Sequence, residues 1–163
     1  MLTAYTLNDR IRAHSHDAAH AVEVPPNARL LFCNGQVGAR LDGTIPASPL
    51  EQIEVIFERI RIILTAANMT FADIVKFTVY VTDKSILDDY FRVRGRIMGD
   101  HSPPATLLVV NPFPRPGVQV EIESHRGENR VDARDPNENA GLAARVGNVD
   151  RSAINRRRRA FAA

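Results

Sequence analysis

The feature of this chain that most limits its fold is an amphipathic helical segment. Between Ile53 and Ala67 the apolar residues recur every three or four positions, and charged residues fall largely between them. Ser48 can cap such a helix, Pro49 suits its first turn, and Asn68 closes it. The pattern therefore predicts a helix that begins at Pro49 and buries one face.

Segments that favour strands surround this helix. The short apolar runs 22–24 and 29–33 are separated by Pro25-Pro26-Asn27, which predicts two strands joined in a hairpin. After the helix, residues 74–81 form a β-branched and aromatic run that is typical of a strand. A second, weaker helix is expected over residues 85–98.

The order of these elements indicates a fold class. Two further strands, 106–110 and 118–123, lie on either side of a proline-rich turn. The order of strands, helix, strand, helix and strands fits an α+β domain, a sheet with both helices packed on one face. We place this single domain at residues 1–126. Residues 127–163 contain few large apolar residues, which predicts a disordered, polar and basic tail.

Charge and cysteine content exclude several classes of function. The formal net charge is +2, but eight Arg and five acidic residues lie in the tail, so the domain itself is close to neutral. The run from Arg156 to Arg159 is interpreted as a solvated terminus, because no aromatic residues interleave with it to stack bases. One cysteine excludes an internal disulfide and gives no zinc signature. We expect no metal and no nucleic-acid partner.

The hydropathy pattern bears on the compartment. No segment approaches the roughly 18 consecutive apolar residues of a membrane span, and the N-terminus lacks a basic region followed by an apolar one. A single thiol is typical of a protein from a reducing compartment. We therefore expect a soluble, cytoplasmic protein without a membrane partner.

Two carboxylates are the first candidates for chemistry. Glu121 and Glu123 alternate with Val120 and Ile122 in a predicted strand, so both carboxylates project from the same face. On the residues alone, an ordinary solvent-facing strand explains them equally well.

Three motifs together suggest a family. Cys33-Asn34-Gly35-Gln36, the segment from Pro103 to Val110, and Val120-Glu121-Ile122-Glu123 resemble motifs of the RidA family, also called YjgF/YER057c/UK114. The resemblance covers about residues 15–126. It implies a chorismate-mutase-like fold, a barrel-like homotrimer with ligand pockets in the clefts between subunits, and no cofactor. It also implies that Cys33 is a strand residue inside the core. The best-known members are enamine/imine deaminases.

The resemblance assigns roles to several residues. It implies that Glu121 positions the catalytic water and that the backbone at Gly35 and Ala105 lines the pocket. In deaminating members an arginine follows the Pro-Ala pair and grips the carboxylate of a 2-imino acid, and here that position is Thr106. Three explanations stay open: the substrate lacks that carboxylate, another cation replaces the arginine, or the activity is absent.

Candidate replacements for the missing arginine come from two segments. Arg92 and Arg94 lie where deaminating members place an Asn on the second helix, although helix arginines are ordinarily solvated. His20 lies where many members have a Gln, next to a position that holds a pocket tyrosine in them and Ala18 here. It is a candidate substrate-binding group, although a lone His is more often an incidental surface residue.

Two functions remain open from the sequence. The first is a cofactor-free hydrolytic deaminase of reactive enamine or imine metabolites at an inter-subunit cleft, with Glu121 as the catalytic group. The alternative is a non-deaminating trimer of the same fold that binds a small metabolite or acts on a different small substrate. A ribonuclease, an activity attached to parts of the family, is not supported by the near-neutral domain.

Overall fold

The computed structural model describes residues 1–11 and 18–128. The elements are, in chain order, β1 (Thr3–Tyr5), β2 (Ala21–Glu23), β3 (Arg29–Phe32), β4 (Gln36–Val37), α1 (Pro49–Ala66), a 3-10 turn (Phe71–Asp73), β5 (Ile74–Val81), α2 (Ile86–Met98), β6 (Ala105–Val109) and β7 (Val120–Glu128).

The main sheet has five strands and is built around β7. Its order is β3-β7-β5-β6, and β4 also pairs with β7 beyond the end of β3. The β5–β6 pair is parallel, whereas the pairs that involve β7 are antiparallel. Strands β1 and β2 form a separate antiparallel pair.

The core lies between this sheet and the two helices. The predicted apolar stripe of α1 is fully buried at Ile53, Ile56 and Ile60, and it packs with Phe77 of β5 and Ile122 of β7 in one cluster that also includes α2. Both helices cover the same face of the sheet, which confirms the predicted fold class. The opposite face has no helix on it within the described residues.

Local sequence signals fix the ends of α1 as predicted. The Ser48 hydroxyl accepts a hydrogen bond from the backbone N–H of Glu51, and Pro49 occupies the first turn. The helix ends at Ala66, and Asn68 follows with a positive φ of 54°, a conformation that asparagine tolerates better than most residues.

The predicted hairpin between 22–24 and 29–33 is wrong. Strand β2 pairs with β1, whereas β3 pairs with β7. The turn at Asn27, which has a φ of 66°, directs the chain into the main sheet, where the nine residues of β7 offer a longer partner than β2 does. Cys33 follows the end of β3 and is half-buried rather than a core strand residue.

The last strand extends beyond the predicted domain boundary. Gly127 and Glu128 belong to β7, where Gly127 pairs with Leu30 and Glu128 forms an ion pair of 3.0 Å with Arg29. The boundary at residue 126 therefore falls inside a strand. The rest of the predicted tail, with its arginine run, lies outside the described residues.

No helix within residues 1–11 and 18–128 is long and apolar enough to cross a membrane. No group of three or more His, Cys, Asp or Glu residues there is arranged to hold a metal ion.

Candidate functional site

The helix-free face of the main sheet carries a row of titratable side chains. The alternation along β7 buries Val120, Ile122 and Ser124 against the helices, and it leaves the residues between them half-buried on the opposite face. Those residues are Glu121, Glu123 and His125. The structure therefore places both glutamates on one face, and the same alternation adds a histidine.

Neighbouring strands add polar groups to this row. On β5, Tyr80 lies opposite Glu121, and Thr78 lies opposite Glu123. The Tyr80 hydroxyl donates a hydrogen bond of 3.2 Å to Oε2 of Glu123. The site thus contains two carboxylates and a phenol, one of the carboxylates being hydrogen-bonded to that phenol.

The loop before β4 brings Gly35 against Glu121. An added Cβ at position 35 would overlap the carboxylate of Glu121 and lie 2.7 Å from its carboxyl carbon. Only glycine leaves room for the side chain in this position. Gln36 steadies the loop, because its amide donates to the Asn34 carbonyl at 2.9 Å and accepts from Arg59 at 3.1 Å.

The environment changes the proton affinity of this cluster. Partial burial raises the pKa of Glu121 above that of an ordinary glutamate, and the negative charge of Glu123 raises it further. The pKa of Tyr80 is also raised, first by burial and then by the charge of Glu123 and the hydrogen bond to it. Glu121 therefore holds a proton at higher pH than an exposed carboxyl group does, which suits a group that exchanges protons.

Thr106 and Ala105 lie at the start of β6 and face opposite sides of the sheet. Thr106 is exposed and pairs with Thr78, so it stands on the helix-free face with β5 between it and the glutamate row. The side chain of Ala105 packs against the core and so points away from the helix-free face. The structure thus brings Thr106, Gly35 and Glu121 to one face.

Arg94 is not part of this arrangement. Its guanidinium is buried on the helix side, where it donates to the Pro103 carbonyl at 2.8 Å and to the Ser102 hydroxyl at 3.2 Å. The cavity that Arg94 lines, of about 530 Å³, contains no other predicted site residue. Arg94 therefore holds the segment that leads into β6, and within this chain it lies apart from the glutamate row.

His20 lies on the helix-free face but at the other end of it. It lines a cavity of about 560 Å³ together with Lys76, Thr78 and His125, among other residues. Sequence reasoning did not identify Lys76, Tyr80 or His125. The period of two along β7 could have indicated His125, whereas the position of Lys76 depends on strand pairing.

Comparison with known proteins gives the family. A family model described as endoribonuclease L-PSP matches residues 12–125. YjgH of Escherichia coli K12, described as a RutC family protein, is 38% identical over 69 residues, which are 42% of this chain and 53% of YjgH. The chain therefore spans about half the length of YjgH. TdcF of the same organism, named as a candidate reactive intermediate deaminase, is 28% identical over 99 residues, covering 58% of this chain and 76% of TdcF.

Solved structures agree with this assignment. RidA from an Antarctic Psychrobacter matches with a TM-score of 0.58 and 26% identity over 77% of this chain and 98% of that one. A Mycobacterium tuberculosis member of the YjgF/YER057c/UK114 family shares the fold, with a TM-score of 0.55 and 24% identity over 78% of this chain and 99% of that one. Because the family model matches residues 12–125 and the fold matches that of a solved RidA structure, this chain belongs to the RidA family.

Proposed function

We propose that this protein hydrolyses the C=N bond of small reactive imines and enamines on the helix-free face, with Glu121 as the catalytic group and without a cofactor. The observation that carries the proposal is the close approach of Gly35 to the half-buried Glu121 carboxylate, whose pKa is raised. The likeness to TdcF, named for deamination of reactive intermediates, supports it.

The chemistry needs one positioned proton acceptor. The imine nitrogen takes a proton from solvent, and Glu121 accepts a proton from water as the water oxygen bonds to the imine carbon and the C=N electron pair moves to nitrogen. Glu121 then passes its proton to the amine nitrogen, the C–N bond breaks, ammonia leaves, and the hydroxyl group loses its proton to solvent as the carbonyl product forms. Backbone groups beside Gly35 and Ala105 orient the substrate, and this orientation supplies much of the rate.

The substitution at position 106 favours a substrate other than the common 2-imino acids. Thr106 offers one hydroxyl and no charge, and Arg94 is occupied on the other side of the sheet. This observation also supports the second candidate function, a family member that binds a small metabolite without deaminating 2-imino acids. Turnover of any C=N substrate would distinguish the deaminase function from the binding function.

A ribonuclease role fits the face less well, although the matching family model carries that description. The centre of the helix-free face holds Glu121 and Glu123, whose negative charges repel a phosphate backbone. An RNA strand laid along β7 would have to cross both carboxylates.

The helix-free face also supports the proposal of a homotrimer. Leu30 and Phe32 of β3 and Leu108 of β6 expose 53%, 69% and 44% of their surface, and the alternation along these strands places all three on the helix-free face. Burial of this apolar surface between subunits would stabilise an oligomer and enclose the site in a cleft. Light scattering is expected to return three times the chain mass, and a monomer at micromolar concentration would exclude the shared cleft.

The test of the proposed function is ammonia release from a panel of imines by the wild type and by Glu121→Gln. General acid–base catalysis predicts a loss of about 10²- to 10⁴-fold in kcat/KM. Glu58→Gln, an exposed change on α1, serves as the matched control and is expected to keep full activity. If no imine in the panel is hydrolysed faster than in buffer, the deaminase proposal is wrong and the binding function stands.

A further inference from the structure

A cavity, which we call the His20 cavity, lies at the far end of the helix-free face. It has a volume of about 560 Å³, within the usual range for small-molecule sites. Its lining residues come from β2, β5, β7 and the segments beside them. They are His20, Val22, Val75, Lys76, Thr78, Pro104 and His125.

A β-bulge in β5 shapes one wall of this cavity. The pairing of β5 with β7 shifts between Ile74 and Lys76, so that Ile74 lies opposite Arg126 and Lys76 lies opposite His125. Val75 is the extra residue of the bulge. Ile74 before it is buried in the core, and both Val75 and Lys76 line the cavity. Bulges of this kind often re-aim side chains beside functional sites.

The cavity contains hydrogen-bonding groups that have no partner. Nδ1 of His20 accepts a hydrogen bond of 3.1 Å from the Leu7 backbone N–H, which leaves the ring proton on Nε2. Within the described residues, this Nε2 is buried without a partner, and so is Nδ1 of His125. Buried polar atoms are nearly always hydrogen-bonded in folded proteins, so two unpartnered ring nitrogens in residues that line one cavity are groups that a ligand could complete.

The charge of the cavity points to an anion. Lys76 brings an ammonium group, and within the described residues no carboxylate lies within ion-pair distance of it. Among the described residues no acidic side chain lines the cavity, and the neighbouring Glu123 accepts a hydrogen bond from Tyr80. A carboxylate bound by the ammonium and the His20 Nε2–H would form charge-assisted hydrogen bonds, while Val22 and Val75 cover the adjoining carbon atoms.

The distance between the His20 cavity and Glu121 limits how far the carboxylate of a ligand must lie from its C=N bond. His125 lies four residues beyond Glu121 on the same strand, which separates them by about 13 Å. In a 2-imino acid the carboxylate is bonded directly to the imine carbon, so it cannot reach the end of the His20 cavity at His125 while the C=N bond is at Glu121. A molecule with its acid group at the far end of a carbon chain can reach both.

We propose that the His20 cavity binds the carboxylate of a substrate whose acid group is separated from the C=N bond by several carbon atoms. The proposal rests on the proposed function, because it places the reacting bond at Glu121. It also explains how this chain recognises an acid without an arginine at position 106.

The test uses oxo acids as analogues of the carbonyl product, with binding measured by calorimetry. The wild type is expected to bind 4-acetylbutyrate, whose acid and carbonyl groups lie at opposite ends, more tightly than pyruvate. Lys76→Met is expected to weaken binding of 4-acetylbutyrate at least about tenfold, since one hydrogen bond to a charged group is lost. His20→Asn, whose amide oxygen can still accept from Leu7, is expected to weaken it as well.

The chain supplies a matched control in its other lysine. Lys84 is exposed outside the cavity, and Lys84→Met is expected to leave binding unchanged. Binding of the uncharged 2-hexanone is expected to be equal in the wild type and in Lys76→Met. Equal affinity of the wild type for both oxo acids, no binding of either, or no effect of Lys76→Met would overturn the proposal.

A hydrolysis assay separates this proposal from the proposed function. If 4-acetylbutyrate binds through Lys76 but no imine is hydrolysed, the His20 cavity stands and the deaminase proposal fails. If a pyruvate-derived imine is hydrolysed as fast as the corresponding imine of 4-acetylbutyrate, with no effect of Lys76→Met, the deaminase proposal stands and the role of the cavity is refuted.

Discussion

Replacing Gly35 by alanine tests the contact on which the catalytic proposal depends. The new Cβ would lie 2.7 Å from the Glu121 carboxyl carbon, whereas ordinary contacts of a Cβ begin at 3.4 Å. The carboxyl carbon must therefore shift by most of an ångström, and the carboxylate oxygen, which lies closer to the new Cβ, must shift by more. A misplacement of about 1 Å in a catalytic group can cost on the order of 10²-fold in rate, so we expect kcat/KM to fall by about that factor.

The effect on stability is expected to be much smaller than the effect on rate. The atoms that the new methyl group displaces are at the end of a flexible, half-buried side chain, which can swing towards solvent without moving the backbone. Thermal unfolding of Gly35→Ala should therefore stay close to that of the wild type. The measurement pairs a melt with ammonia release from the imine that the wild type hydrolyses fastest.

Gly95→Ala is the matched control. Gly95 lies inside α2, and an added Cβ there meets no atom within 4 Å. The change should stabilise the helix by about 0.5–1 kcal/mol and leave the rate unchanged. A Gly35→Ala variant with wild-type kcat/KM would refute the argument that this glycine positions Glu121, and a Gly35→Ala variant that fails to fold would show that the glycine serves the fold instead.

Three further predictions follow. Because partial burial and the charge of Glu123 raise the pKa of Glu121, the rate should fall as the pH drops through this raised pKa, and Glu123→Gln, which removes the second cause, should move that fall to lower pH in a pH–rate profile. Thr106→Arg should increase hydrolysis of 2-imino acids, and an unchanged rate would show that more than the guanidinium is missing. Truncation after Glu128, which keeps all of β7, should leave the melting temperature unchanged, and a loss of several degrees would show that the tail docks.

The sequence by itself determined the elements whose signals are local. The three- and four-residue spacing from Ile53 onwards predicted α1, and Ser48 and Asn68 marked its ends, because these interactions involve neighbours within one or two helical turns. The run 74–81 predicted β5 with its exact bounds. The period of two in β7 placed Glu121 and Glu123 on one face for the same reason.

Only the tertiary structure decided which strands pair and which side chains meet. The turn at Pro25-Pro26-Asn27 looked like a hairpin, but β3 pairs with β7, nearly a hundred residues further along the chain. Arg94 turned to the helix side because Ser102 and Pro103 offer it hydrogen-bond acceptors there. Pairing partners of this kind are chosen by contacts between distant segments, which leave no periodic signal in either segment.

The His20 cavity likewise could not be predicted from the sequence alone. Its wall depends on one bulge in β5, and its polar groups come from His20, Lys76 and His125, which are separated by about fifty residues each. Each of them is an ordinary surface residue when its own segment is considered alone. They become a candidate anion site because the sheet brings three segments together and leaves two ring nitrogens buried without partners.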